Sequence, residues 1–247
     1  LGGNTTATIS FLRNKPSIVF SDNDISFKLP AYKFGTDFIF PKYFNSENLN
    51  KKYSISNNQI NKFEGFKEDI YIADYKPDPD FLKNLPFSNF ITIRPENLKA
   101  SYVPINSVSI VPELFDCFKS YNILFLPRYE EEKKYADGFD NIFIPSHPLN
   151  GLDVCYYSQA ILTGAGTFAR EAALLGTPSV SFFPGKSFLS VDKKMQSMGI
   201  QFKSRNIKDI FNFIIQSSKI KKSLNRSKNV QNNFFKLFKL ILKKYEK

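Results

Sequence analysis

Leu162-Thr163-Gly164-Ala165-Gly166-Thr167-Phe168-Ala169-Arg170-Glu171 is the stretch that decides the fold. An apolar run, Ala160–Thr163, enters a turn of small residues and leaves it as an apolar helical pattern, Thr167–Leu175. That pattern stops at Gly176-Thr177-Pro178, and Gly followed by Pro is a strong helix terminator. Strand, small-residue turn and helix make the βα half of a βαβ unit. In an open parallel sheet such a turn lies at the carboxyl edge, where ligands bind. Gly164 and Gly166 let phosphates approach the backbone, and Thr167 is a natural N-cap. The first helical N–H groups and the dipole favour an anion there. Glu171, one turn in, is placed to accept hydrogen bonds from ribose hydroxyls. The plainer alternative is a βα turn with Gly for tight packing, since Gly-x-Gly alone does not specify a nucleotide.

Working outward, short apolar runs alternate with helical patterns, the signal for a parallel sheet. Expected strands are Ser17–Ser21, Asp37–Phe40, Phe90–Ile93, Asn122–Leu126, Asn141–Ile144, Ala160–Thr163 and Ser179–Phe183. Expected helices are Pro112–Lys119, Tyr129–Ala136, Thr167–Leu175, Val191–Met198 and Ile207–Ile215. Glu130–Glu132 with Lys133–Lys134 reads as a solvated face. Asn45–Lys62 is polar and Asn-rich without a period, so it reads as a loop. The expected fold class is α/β, with a doubly wound, Rossmann-like domain over residues 89–216. Residues 1–88 read as the back part of another such domain plus a linker, and 217–247 as a basic helical tail.

The chain has 247 residues, 42% of them apolar and 23% charged, which excludes wholesale disorder. Two cysteines, Cys117 and Cys155, without CxxC spacing exclude a disulfide scaffold and a cysteine zinc site and suit a reducing cytoplasm. The net charge of +11 is not spread over the chain: residues 203–247 carry 13 Lys and Arg against Asp209 and Glu246, so residues 1–202 are neutral. Nucleic acid is therefore a poor partner for the body. No apolar run reaches the ~20 residues of a membrane span. The opening Leu1-Gly2-Gly3-Asn4 has no basic and apolar leader pattern and no Met, so a fragment lacking its first elements is expected.

Thr163–Pro178 (TGAGTFAREAALLGTP) resembles, without gaps, the "DSGG…EEA…LGKP" segment of the non-hydrolysing UDP-N-acetylglucosamine 2-epimerases. Ile91–Asn97 (ITIRPEN) resembles their "THRREN" strand end, and Gly3–Thr8 with Lys15-Pro16 their "GDTTTT…KIP" stretch. The chain is more similar still to an uncharacterised archaeal and bacterial family of the same GT-B superfamily. The matching segments are Gly166–Pro178, Pro184-Gly185-Lys186 with Val191-Asp192, Gly65–Glu68 with Tyr71, Arg94 with Ala100-Ser101-Tyr102, and Leu126-Pro127-Arg128. This resemblance covers about residues 2–205 and implies a GT-B fold, two Rossmann-like domains, the first incomplete, with a nucleotide sugar, UDP-linked, as substrate.

The departures matter equally. The epimerases' catalytic Asp falls on Asn4, which cannot act as a general base. Their catalytic His has no counterpart, because Ile93 precedes Arg94. Their phosphate-binding Ser falls on Ala165 and a Gly on Thr167, whose hydroxyl could replace the lost donor; Glu171 stands where their Glu binds ribose. The nucleotide half is kept and the epimerase chemistry is not. The resemblance thus implies a glycosyltransferase-like enzyme, with an epimerase, a silent nucleotide-sugar binder or a membrane-surface protein as alternatives.

Remaining candidates come from residue chemistry. Arg94 and Arg128 each follow a strand and suit bidentate phosphate contact; a surface ion pair is the alternative. His147, the only histidine, follows a strand in Pro145–Pro148 and could protonate a leaving group or contact a phosphate; it could equally be structural. Asp22 in Ser21–Asp24 is a candidate base or acceptor contact, against a turn-forming role. No cluster has metal-ligand spacing, and no cofactor beyond the nucleotide-sugar substrate is expected. The tail, Asn232–Lys247, is a basic amphipathic helix: either it packs back on the fold or it lies on the inner membrane face of a cytoplasmic enzyme.

Overall fold

The computed structural model describes residues 3–25, 29–100, 103–185, 188–220 and 224–246. Ser101, Tyr102 and Lys186, part of the resemblance, lie outside them. The chain divides into two units: residues up to Asp74 with a segment ending at Lys194 and the chain from Leu224 onward, and residues from Tyr75 to the 180s with Met195 to the 220s.

The first unit holds α1 (Asn4–Leu12), β1 (Ile18–Phe20), α2 (Leu29–Phe34), β2 (Asp37–Pro41), α3 (Glu47–Tyr53), β3 (Ile60–Phe63) and α4 (Lys67–Ile72). Its strands pair in parallel in the order β1-β2-β3. β2 is buried along its whole length. Alternate side chains of a strand serve opposite faces. Phe38 and Phe40 accordingly pack with Ala7, Val19, Tyr32, Phe44, Leu49 and Ile55. Ile39 packs with Phe63, Val230 and Ile241. The segment expected to be a loop, residues 45–62, therefore supplies a helix and most of a strand. β3 escaped notice because its Asn61 and Lys62 break the apolar run; Asn61 Nδ2 instead donates to Asp37 Oδ1 at 3.2 Å and Phe38 O at 3.3 Å.

The second unit begins with β4 (Ile91–Arg94), α5 (Val111–Cys117), β5 (Ile123–Phe125), β6 (Ile142–Phe143), α6 (Gly151–Tyr157) and β7 (Ile161–Thr163). It continues with α7 (Gly166–Leu175), β8 (Ser179–Ser181), α8 (Ser190–Ser197, begun in the first unit), β9 (Phe202–Lys203) and α9 (Ile207–Gln216). All six strands are parallel, in the order β6-β5-β4-β7-β8-β9. β4, β5, β7 and β8 are buried on both faces, as central parallel strands must be. One core joins Ile91, Ile93, Leu114, Phe115, Ile123, Phe125, Leu162, Val180, Phe182 and Ile210. Gly176 adopts φ +85°, the left-handed conformation that ends α7, so the Gly176-Thr177-Pro178 stop sits where the sequence put it.

The tail forms α10 (Asn225–Lys243), starting seven residues before the expected Asn232. It belongs to the first unit, where Phe234, Leu237, Phe238 and Tyr245 pack beside Ile39, Phe63 and Ile241. Two buried carboxylates anchor it. Asp69 accepts from Ser227 Oγ at 2.8 Å, and Asp37 accepts from Lys244 Nζ at 2.8 Å and from the Tyr245 hydroxyl. Phe234, Phe238, Ile241 and Tyr245 of its apolar face are thus spent on the fold, while Phe235 and Leu242 stay exposed.

Candidate functional site

Counted from β4, the sheet order of the second unit is 3-2-1-4-5-6, and the order reverses between β4 and β7. Ligands of doubly wound sheets bind outside the carboxyl ends of the strands at such a reversal. β4 ends there in Arg94 and β7 in Thr163, paired directly in register, and Gly164 N–H donates to Arg94 O at 3.1 Å. The next residues are the Gly164–Gly166 turn and α7.

The turn is tight for a specific reason. A Cβ on Gly164 would lie 2.5 Å from Glu96 Cα, so only glycine lets the β4 loop and the β7 turn meet. Ala165, not Thr167, is the N-cap of α7: it has extended backbone, and its own N–H donates to Thr163 Oγ1 at 2.9 Å. Thr167 sits inside the first turn and accepts from Arg170 Nη2 at 3.3 Å. The expected cap failed because the helix begins one residue earlier, at Gly166. Among the described residues no side chain caps α7, and its backbone ladder opens with Ala169 N–H to Ala165 O at 3.0 Å. Helical N–H groups ahead of that first bond are donors without intrahelical acceptors. With the dipole they give the turn positive character.

Arg94 and Arg128 reach the same place. The Arg94 guanidinium lies 5.8 Å from the Phe168 ring, and Phe168 is in the first turn of α7. Burial lowers its pKa, the positive charge of Arg128 lowers it further, and Glu171 partly offsets both. Its Nε is buried with no hydrogen-bond partner among the described residues. Arg128 is held through both backbone and guanidinium: its N–H donates to Glu132 Oε2 at 2.6 Å, as does Tyr129 N–H at 3.2 Å, while its Nε donates to Pro95 O at 2.9 Å. Glu132 therefore differs from its solvated reading. It is buried, and Glu130–Ala136 is a 3-10 segment folded around it. Beneath the turn, burial raises the Cys155 thiol well above its ordinary range, and its Sγ lies 3.8 Å from Phe168 O. Two guanidiniums, a helix N-terminus and Glu171 therefore converge at the reversal.

Glu96 is the residue that sequence reasoning missed. Fully buried, it accepts from Ser109 Oγ at 2.7 Å and from Arg205 Nη1 at 2.7 Å. Arg205 also donates to Phe182 O at 2.7 Å and Val108 O at 2.6 Å, tying the loops after β4, β8 and β9 together. Its signal, Glu two residues after Arg94 in Arg94-Pro95-Glu96-Asn97, was visible without its distant partner.

The other candidates lie elsewhere. His147 is exposed on the loop leaving edge strand β6, with β5 and β4 between it and β7. Asp22 follows β1 in the first unit and pairs with Lys67 Nζ at 2.8 Å. Asn4 opens α1, and its Oδ1 accepts from Ala31 N–H at 3.2 Å. Among the described residues no group of three His, Cys, Asp or Glu could hold a metal, and no helix is long and apolar enough to cross a membrane.

Strand order and site position together define a Rossmann-type fold of the kind seen in GT-B epimerases and glycosyltransferases. The chain itself belongs to the family described as "Protein of unknown function (DUF354)", which it matches over residues 7–245. It is similar to UDP-GlcNAc 2-epimerase from Neisseria meningitidis bound to UDP-GlcNAc, with a TM-score of 0.69 at 13% identity, covering 97% of this chain and 73% of that one. It is also similar to CalG4, the calicheamicin glycosyltransferase, with a TM-score of 0.50 at 11% identity, covering 93% of this chain and 66% of that one. The uncharacterized protein MJ0665 of Methanocaldococcus jannaschii is 32% identical over 93 residues, 38% of this chain and 27% of that protein. The matched stretch thus spans about a quarter of that relative.

Proposed function

We propose that this chain is the nucleotide-sugar-binding part of a glycosyltransferase-like enzyme whose donor is UDP-linked. The observation that carries this reading is the pair Arg94 and Arg128 beside the start of α7, with Arg94 Nε buried and lacking a partner among the described residues. Two like charges held near one another in a partly desolvated place cost free energy, and an anion seated between them and the α7 amides would offset it. A diphosphate fits that chemistry, and Glu171 would take the ribose hydroxyls. Similarity to proteins described as a UDP-GlcNAc 2-epimerase and a glycosyltransferase supports the substrate class.

In such a transfer, an acceptor hydroxyl oxygen bonds to the anomeric carbon, and the bond from that carbon to the diphosphate oxygen breaks. The departing diphosphate keeps the electron pair, which Arg94, Arg128 and the α7 amides would stabilise. The acceptor's proton passes to a solvent base, since His147 lies beyond β5 and β4 from this turn and Asp22 is paired with Lys67 in the first unit. The epimerase reading is weaker, because Asn4 stands where that chemistry needs an acid–base Asp. The test is a thermal-shift screen of nucleoside diphosphates and nucleotide sugars. The reading expects UDP and a UDP-sugar to raise the melting temperature more than ADP or GDP does, and equal or absent shifts would sink it.

A further inference from the structure

Packing of α10 leaves a second face unused, and that face has its own composition. At about 100° per residue, Lys228, Phe235, Lys236, Lys239, Leu240, Leu242 and Lys243 fall within one arc of about 160°. All seven are exposed, with Phe235 at 46%, Leu240 at 63% and Leu242 at 39%. The opposite side carries the residues that pack on the sheet and reach Asp37 and Asp69. No Asp or Glu lies within α10, while residues 1–202 are neutral overall. The positive face is therefore local, and charge complementarity asks for a polyanionic partner.

We infer that this outer face of α10 rests on an anionic lipid bilayer, lysines on the headgroups and Phe235, Leu240 and Leu242 in the interfacial layer. The interleaving of large apolar side chains with lysines favours lipid over nucleic acid. Apolar side chains gain free energy only where they leave water, and lysine stems snorkel their charge to a headgroup plane. Nucleic-acid recognition prefers the arginine fork, and the one arginine of the helix, Arg226, is turned to Asp69 and the Phe66 ring. The face belongs to the first unit, so this inference does not depend on the nucleotide reading of the second.

Each lysine near an anionic surface is worth about a fivefold change in binding, and the effect fades beyond a Debye length. The experiment is cosedimentation of the full chain with vesicles of phosphatidylcholine alone or with an equal part of phosphatidylglycerol, across a salt series. Binding to the mixed vesicles alone, weakened by salt, is expected. Lys236→Gln with Lys239→Gln should weaken it about 25-fold. Phe235→Ser should weaken it with the melting temperature unchanged, and UDP titration should be unaffected in every variant. Equal binding to both vesicle types, unaltered binding by these variants, or tighter saturable binding to duplex DNA would overturn the inference.

Discussion

Arg94→Met separates a ligand-binding arginine from a structural one. The substitution keeps an apolar stem against Phe168 and removes a charge that burial and Arg128 both disfavour. Glu171 is the opposing attraction, and it offsets those penalties only in part. We expect the unliganded stability to change by less than about 1 kcal/mol, or about 2–4 °C in melting temperature for a chain of this size. With UDP the balance differs. A charge-assisted hydrogen bond from guanidinium to phosphate contributes about 1.5–3 kcal/mol, which corresponds to about ten- to hundredfold in affinity. Differential scanning calorimetry of both proteins, with and without UDP, together with titration calorimetry, reads both quantities. A variant that binds UDP as the parent does would refute the site. A variant that melts far below the parent without ligand would make Arg94 a structural residue.

Three further outcomes follow from the same geometry. Glu171→Gln should weaken UDP by about ten- to hundredfold in calorimetry, because ribose loses its charged acceptor, yet leave pyrophosphate binding no weaker, since it also removes a negative charge beside Arg94. Phe238→Asp with Ile241→Asp puts two carboxylates against Ile39 and Phe63; truncating one such aliphatic alone costs about 2–5 kcal/mol, so thermal unfolding should show a fall of at least about 4 °C. Tyr245, whose hydroxyl donates to buried Asp37, has its pKa pushed up to about 12 by burial and by that carboxylate. The folded chain keeps this proton after the unfolded chain has lost it, so stability is full below pH ~10 and declines between ~10 and ~12. Tyr245→Phe should show a shallower decline over that window in pH-dependent urea melts, and parallel curves would contradict the assignment.

How much of this was legible depended on how local each determinant is. The β7 turn and α7 are specified by neighbouring residues, and strand, turn and stop fell within a residue or two of their expected places. Strands buried on both faces in the second unit announced themselves as short apolar runs. β3 and the two-residue β9 did not, since Asn61 and Lys62 interrupt one and the other is too short to show a period. α1 was hidden by an opening that reads as a Gly-rich turn. The buried carboxylates were the hardest: Glu96 is explained by Arg205, Asp69 by Ser227 and Asp37 by Lys244 and Tyr245. Nothing in the composition of those short segments marks a carboxylate whose partner arrives more than a hundred residues later. The tail shows the converse, since its period was plain but the surface receiving it was not.

The central claim is that the β4/β7 reversal binds a nucleoside diphosphate, and titration calorimetry of UDP into the full chain, repeated with Arg94→Met and Glu171→Gln, tests it most directly. The account predicts saturable binding at one site, weakened by both variants, and at 100 times its dissociation constant a stabilisation of about 2.7 kcal/mol, seen as a melting rise of about 5–11 °C. No heat and no melting shift with UDP, or binding that both variants leave intact, would contradict it.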